Sequence, residues 1–274
     1  MGDTKAIHPT ERQGGVPTPR QPVRHLNIGS GNWRHPDWHN LDAASTHYAK
    51  SFDYGVDFPH NLLGRTPIAI ADDTLKAAYS SHVIEHIDDG AAAFLFADVW
   101  RMLQPGGVFR ITCPDMGLIF RRYARRDEAF FARFAFRKAW PDLSLEQAFL
   151  HCFAAVRTTH VRFEGAGTLD DGAVAALFDG ALRRRRVPVF GRRALHSALD
   201  TVTRAIPAEE ANRTYPQCHL NWWTHHKART FLRRAGFSRV VAQKRRSTCY
   251  RPMGNRKHFN NTRPWMSLYI EGVK

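Results

Sequence analysis

Residues 80–115 read SSHVIEHIDDGAAAFLFADVWRMLQPGGVFRITCPD, and this stretch carries the pattern that decides the fold. Asp88 and Asp89 are suited to begin a helix. The apolar residues that follow recur at helical spacing and are Phe94, Leu95, Val99, Met102 and Leu103. Residues 105–107, Pro-Gly-Gly, are expected to stop the helix. The next run, VFRITCP, is almost wholly apolar, which is typical of a central parallel strand buried on both faces.

Short extended segments precede this stretch, as they do in a series of strand–helix units. They are residues 24–28, 40–42, 54–58 and 75–81. Strands that alternate with helices in this way form a mostly parallel sheet covered by helices. The first half of the chain therefore predicts an α/β fold.

The region from about 116 to 218 interrupts this alternation. MGLIFRRYARRDEAFFARF predicts one helix, SLEQAFLHCFAAV predicts another, and an arginine-rich stretch follows through residue 193. The alternation then returns with THHKARTFLRRAGF, a helix that Gly236 ends. SRVVAQ and WMSLYIEGV predict two closing strands.

Composition limits the class of protein without choosing its partner. The net charge is +15, and 32 of the 40 Lys and Arg residues are Arg; GC-rich coding and an anionic acceptor explain this bias equally well. The four cysteines form no CxxC pair, which argues against a zinc knuckle and against disulfides. No run approaches the roughly 20 apolar residues of a membrane span. The first residues lack the apolar run of a secretory signal, so a cytoplasmic protein is expected.

The segment HLNIGSGNW, residues 25–33, ends a predicted strand in Gly-x-Gly. Glycines at such a turn let the backbone approach a bound nucleoside. Arg34 stands where a dinucleotide fingerprint has its third glycine, which argues against that class. Asp42 ends the next strand and offers a carboxylate to two ribose hydroxyls. A solvent-facing loop aspartate is the alternative.

Together, LNIGSG, NLD, SSHVIEHI and the helix ending in WRMLQPGGVFRITCPD resemble the class I S-adenosylmethionine (SAM)-dependent methyltransferases. The type 11-like branch is the most similar, including its glycan- and specialised-metabolite-associated members. The resemblance covers residues 24–120 and, more weakly, 219–274. It implies a Rossmann-like sheet with an antiparallel final strand and a helical insertion, with SAM as cofactor.

The resemblance also implies a division of the chain into four parts. Residues 1–23 would be a flexible tail and residues 24–118 the SAM-binding core. Residues 119–218 would be a mostly helical insertion that acts as an acceptor lid. Residues 219–274 would complete the core with a helix and two strands.

Roles carried over from the family fall on the predicted strand ends. The methionine part of SAM would meet Asn27, Gly29, Ser30 and Gly31, and Asp42 would hold the ribose. Asp57 and Phe58 would flank the adenine, and Ser81 would lie beside the cofactor. Asn27 and Trp33 depart from the family pattern, which has an acidic residue and a glycine there.

Methyl transfer to a hydroxyl acceptor often needs a base. His86 and His82 are the candidates because imidazole titrates near neutrality, with a packing role as the alternative for both. Glu85 would orient the backbone or His86.

Other residues are candidates for binding the acceptor. Asp115 would bind the acceptor or cap the next helix. His219 would bind the acceptor or belong to a surface cluster. Trp222 would bind the acceptor or pack in the core. HLNWWTHH has no recognisable ligand spacing, so no metal is predicted.

The sequence thus predicts methylation of a hydroxyl group on a small molecule or glycan. A phosphorylated or nucleotide-linked sugar is one acceptor of this kind. Two other functions stay open. An RNA methyltransferase fits the basic charge, although no RNA-binding module is recognised. A non-catalytic SAM-fold binding protein fits the departures at Asn27 and Trp33.

Overall fold

The computed structural model describes residues 22–43, 55–184, 188–255 and 257–274. The predicted tail lies outside the described residues, apart from its last two positions. None of the helices in these described ranges has the length and apolar character of a transmembrane segment.

Seven strands form one mixed sheet in the order β3-β2-β1-β4-β5-β7-β6. The strands are β1 (His25–Ile28), β2 (His39–Asp42), β3 (Phe58–Pro59), β4 (Leu75–Ser81), β5 (Leu103–Pro114), β6 (Arg239–Ala242) and β7 (Ser267–Val273). Strands β1 to β5 pair in parallel, whereas β7 runs antiparallel to both β5 and β6. The predicted Rossmann-like sheet with an antiparallel last strand is therefore confirmed.

The order of the strands reverses at β1, which lies between β2 and β4. Ser80 of β4 pairs with Ile28 of β1 and with Ile111 of β5, so these three strands end at the same edge. In open α/β sheets, ligands bind outside the carboxyl ends of the strands at such a reversal. The segments that follow β1 and β4 therefore meet at the expected binding crevice.

The central strand–helix–strand unit forms close to the predicted bounds. Helix α1 spans Asp89–Met102, and the Asp88 carboxylate caps it by accepting from the Ala91 N–H at 2.8 Å. Strand β5 follows at once at Leu103. The Pro-Gly-Gly segment therefore lies inside the start of β5, not at the end of the helix.

Strand β3 is shorter than the predicted segment 54–58 and comprises only Phe58 and Pro59. Residue 54 lies outside the described parts of the chain. Beyond this short strand the His60 N–H still donates to the Asp42 carbonyl of β2 at 2.8 Å.

Between β5 and the helix that returns to the core, the chain is helical, as predicted. The helices are α2 (Met116–Tyr123), α3 (Glu128–Phe131), α4 (Ala135–Ala139), α5 (Leu145–Ala154), α6 (Asp171–Arg184), α7 (Pro188–Thr203) and α8 (Ala208–Thr214). They enclose a core of their own that is rich in phenylalanine. The prediction of one helix over MGLIFRRYARRDEAFFARF is wrong. Arg126 adopts a left-handed conformation at φ 55°, and Asp127 caps a new helix through the Phe130 N–H.

Helix α9 (His225–Arg234) and the two strands that follow it confirm the prediction for the end of the chain. The Thr224 hydroxyl caps α9 by accepting from the Lys227 N–H at 3.3 Å. Apolar residues of α9 and α1 pack in the same core as the sheet. The Leu220 N–H donates to the Glu85 carbonyl and the Met116 N–H donates to the Trp223 carbonyl, so the segment that leads into α9 is bonded to the residues that follow β4 and β5.

The turn after β1 contains two glycines with positive φ, and only one of them is tightly packed. Gly29 has φ 67°, and a Cβ there would lie 2.2 Å from Val83 Cγ2; Gly31 has φ 50° and no atom within 4 Å of such a Cβ. Both alanine variants suffer the left-handed penalty. We expect Gly29→Ala to lower the free energy of unfolding by about 1–3 kcal/mol more than Gly31→Ala, because it also overpacks. Urea unfolding measures both values, and equal losses would contradict the packing argument.

Candidate functional site

A cavity of about 410 Å³ lies at the carboxyl ends of β1, β2 and β4. It is large enough for a small ligand. The predicted site residues that line it are Gly29, Gly31, Asp42, His82, His86 and His219. The structure thus brings the glycine turn, the strand-end carboxylate and three histidines to one place.

Asp42 ties the glycine turn to the end of β2. Its Oδ2 accepts from the Gly31 N–H at 2.6 Å, and its Oδ1 accepts from the Ala43 N–H at 2.7 Å. In the described parts of the chain, no Lys or Arg forms an ion pair with this carboxylate. Each carboxylate oxygen accepts more than one hydrogen bond, so Asp42 retains acceptor capacity at the cavity wall.

Two of the predicted cofactor residues bond to Asn40 of β2. The buried Asn27 amide donates to the Asn40 side-chain oxygen at 3.4 Å. Asp57 Oδ2 accepts from the Asn40 N–H at 2.7 Å. Neither residue lines the cavity, and both support the strands beneath it. Their contact with a cofactor stays a prediction.

The other three predicted cofactor residues lie close to the strand ends without lining the cavity. Phe58 packs near His39, with ring centroids 6.1 Å apart. Ser81 is the last residue of β4 and is half-buried. The Ser30 hydroxyl is buried, and within the described residues it has no hydrogen-bond partner. Such an orphaned hydroxyl beside the glycine turn is what an added ligand or water satisfies.

His82 and Glu85 form a pair immediately after β4. His82 has φ 56°, a conformation that directs the chain into the turn containing Glu85. Its Nδ1 lies 2.9 Å from Glu85 Oε1, and its Nε2 lies 2.8 Å from the Ser267 hydroxyl. Both ring nitrogens of His82 are therefore engaged. Glu85 thus pairs with His82, a partner that the sequence analysis, which expected it to orient the backbone or His86, did not name.

His86 and His219 face each other at the cavity. Their rings meet edge to face with centroids 4.9 Å apart. The Nδ1 of His86 lies 3.0 Å from the Cys218 carbonyl, and the Nδ1 of His219 lies 2.8 Å from the Cys152 carbonyl. Because a carbonyl only accepts, both Nδ1 atoms carry hydrogen and both Nε2 atoms keep a lone pair.

Burial sets the charge state of this cluster. It lowers the pKa of His86, and it lowers the pKa of His219 to about 4, with the neighbouring His86 adding to the effect. Burial alone would raise the pKa of the Glu85 carboxyl, but His82 and the other two imidazoles outweigh it and bring that pKa to about 2. Two neutral imidazoles thus face an ionised carboxylate near neutral pH.

Asp115 and Trp222 lie outside this cavity. The Asp115 carboxylate caps α2 by accepting from the Leu118 N–H at 3.1 Å, and it also lines a second cavity of about 920 Å³. Trp222 is buried in the helical core, where its Nε1 donates to Asp200 Oδ1 at 3.2 Å. The ammonium of Lys227 lies 4.0 Å from its ring.

Sequence reasoning missed Arg263, which also lines the first cavity. It lies in the loop before β7 with φ 39°, and its charge contributes to lowering the pKa of His86. A single basic residue in a loop belongs to no motif, so only the path of the chain places it here. Asn212 of α8 reaches the same cavity from the helical part and donates to the His86 carbonyl.

No protein-family model matches the chain, and no curated protein sequence matches it. Solved structures do match in shape. A SAM-dependent methyltransferase from Mesorhizobium loti is 15% identical, with 92% of this chain and 91% of that chain covered and a TM-score of 0.43. One from Archaeoglobus fulgidus is 11% identical, with 92% and 86% covered and a TM-score of 0.41. One from Thermotoga maritima is 10% identical, with 92% and 82% covered and a TM-score of 0.38.

Proposed function

We propose that this protein is a SAM-dependent methyltransferase that acts on a hydroxyl group of a small-molecule or glycan acceptor. The observation that carries the proposal is one cavity, in which the Gly29–Gly31 turn and Asp42 face His86 and His219. A nucleoside site and a proton-accepting group within the same cavity are the two parts that such a reaction needs.

The residues at the end of β1 and β2 fit a nucleoside cofactor. The Asp42 carboxylate retains acceptor capacity for two ribose hydroxyls, and the turn at Gly31 leaves open space where a side chain would project. When bound, SAM supplies an electrophilic methyl group on a positively charged sulfur.

On the acceptor side, His86 is the group suited to receive the hydroxyl proton. Its Nδ1 is fixed by the Cys218 carbonyl, so its Nε2 holds the available lone pair. Burial lowers its pKa, which keeps the ring neutral and its Nε2 unprotonated near neutral pH, although the same burial makes the imidazole a weaker base. His82, with both nitrogens engaged, acts as a positioning residue for Glu85.

Charge around the site favours an acceptor with an anionic group. Arg263 lines the same cavity as His86. The second cavity is lined by four arginines, namely Arg121 of α2, Arg125 of the turn after it, Arg192 of α7 and Arg229 of α9. Within the described residues, none of these four forms an ion pair with a carboxylate. This observation also keeps an RNA acceptor as the second candidate.

The first test is binding and turnover on the purified chain. Calorimetry is expected to give saturable binding of SAM and S-adenosylhomocysteine near one per chain. Formation of S-adenosylhomocysteine is expected to rise with sugar or sugar-phosphate hydroxyl acceptors. Stimulation by RNA alone, lost steeply with added salt, would favour the second candidate. If the folded chain binds neither SAM nor S-adenosylhomocysteine, the proposal of an enzyme is overturned and the non-catalytic alternative is left.

A further inference from the structure

Three side chains with metal-ligating atoms meet at the wall of the first cavity. Glu85 and His86 come from the turn after β4, and His219 comes from the segment before α9. One carboxylate oxygen and one nitrogen from each ring lie within 4.8 Å of one another. His219 Nε2 is 4.0 Å from Glu85 Oε1.

The backbone fixes both imidazoles in the form that binds a metal. The Nδ1–H groups of His86 and His219 donate to the carbonyls of Cys218 and Cys152. Metal-ligating histidines are oriented in this way, with one nitrogen bonded to a carbonyl or carboxylate and the other free. The two rings come from distant parts of the chain, yet both have this arrangement.

The carboxylate between them is buried and only partly satisfied. Glu85 is 1% exposed, and its Oε2 has no hydrogen-bond partner within the described residues. Its Oε1 lies 2.9 Å from His82 Nδ1, but within the described residues it too lacks a partner with hydrogen-bond geometry. An ionised carboxylate out of water is costly unless a cation or several donors compensate it. The two imidazole lone pairs supply no donor, so the cluster as a whole favours a cation.

We propose that Glu85, His86 and His219 bind one divalent transition-metal ion of the zinc type. Two imidazoles and one carboxylate are a ligand set of catalytic zinc sites, in which the fourth position stays open. Here the open position faces the cavity, because His86 and His219 line it. Nitrogen ligands disfavour Mg²⁺, which prefers an octahedron of oxygens.

Binding requires a modest contraction of the cluster. Zinc ligands at about 2.0–2.2 Å in a tetrahedron lie about 3.4 Å from one another, so a pair of ligand atoms as much as 4.8 Å apart must close by up to about 1.4 Å. His82 would hold the Glu85 carboxylate from behind through its Nδ1 contact, as a positioning residue. The ion would lie where an acceptor hydroxyl enters and would lower the pKa of that hydroxyl, whose proton would pass to water in the cavity; His86 would then be a ligand and not the base.

Metal titration of the untagged, chelator-treated chain tests this site. Calorimetry with Zn²⁺ is expected to give one equivalent per chain, and Co²⁺ is expected to give visible absorption bands that saturate at the same ratio. His86→Gln and His219→Gln are each expected to weaken binding by at least 10-fold. His226→Gln, at an exposed position of α9, removes an imidazole as the matched control and is expected to leave the affinity unchanged.

Two results would overturn the site. One is Co²⁺ absorption that does not saturate at one equivalent per chain. This measurement uses the wild-type chain, so it does not depend on whether a variant folds. The other is an affinity that both variants, shown folded by circular dichroism, leave unchanged. SAM binding measured on the same samples separates this inference from the proposed function. A chain that binds SAM without metal keeps His86 as the base, and one that binds metal without SAM keeps the metal site alone.

Discussion

Asp42→Ala is expected to weaken SAM binding by at least about 100-fold. The carboxylate would hold two ribose hydroxyls, and a hydrogen bond to a charged group contributes about 1.5–3 kcal/mol. Two such bonds correspond to a change in Kd of about 100-fold or more. The substitution also removes the acceptor of the Gly31 N–H, so the glycine turn loses its tie to β2. Calorimetric titration with SAM measures the effect.

Asp37→Ala is the matched control for this experiment. Asp37 lies in the same β1–β2 connection, but its side chain is 75% exposed and it does not line the cavity. The affinity of the Asp37→Ala variant for SAM is expected to stay within about a factor of two of the wild type, because an exposed charge contributes little. Equal affinities for Asp42→Ala and the wild type would remove Asp42 from the cofactor site.

Glu271→Gln is expected to destabilise the chain by about 3–5 kcal/mol, since it leaves a buried guanidinium without its counter-charge. Arg110 of β5 and Glu271 of β7 are both fully buried, and Arg110 Nη1 lies 2.5 Å from Glu271 Oε1. Burial alone would raise the pKa of the Glu271 carboxyl, but hydrogen bonds from its neighbours and the Arg110 charge lower it. The Arg110 guanidinium also donates to the Asn260 side chain and the Ser247 carbonyl. It therefore anchors the loop between β6 and β7.

Urea unfolding followed by circular dichroism measures this loss. Asp179→Asn is the matched control, because it breaks an exposed ion pair with Arg183 on α6. Exposed pairs contribute about 0–1 kcal/mol, so the control is expected to change little. The double variant Arg110→Met/Glu271→Leu is expected to recover part of the stability that Glu271→Gln loses. A loss below 1 kcal/mol for Glu271→Gln would show that the pair does not anchor the loop.

The local elements of the central unit could be predicted from the sequence because their signals are local. Strand β4 has the predicted bounds, α1 begins after the predicted cap Asp88, and β5 is buried as its apolar run indicates. A cap, a helical period and an apolar run each act over a few residues. The same reasoning missed the break after Tyr123, where the capping by Asp127 outweighs the helical period.

The buried charge at Arg110 shows where such reasoning ends. Within VFRITCP it stands as one basic residue in an apolar strand. Its partner Glu271 lies on another strand, and only the antiparallel pairing of β5 with β7 brings the two together. The sequence by itself therefore predicted a buried strand and not the ion pair inside it.

By itself, the sequence determined the α/β class, the strand ends that carry Gly29, Gly31 and Asp42, and the placing of Glu85 and His86 after β4. These follow from turns, periods and motifs that neighbouring residues share. Only the tertiary structure decided that His219 joins Glu85 and His86 at one cavity and that Trp222 does not. A cluster built from distant segments depends on how helices pack on the sheet, and no local pattern records that packing.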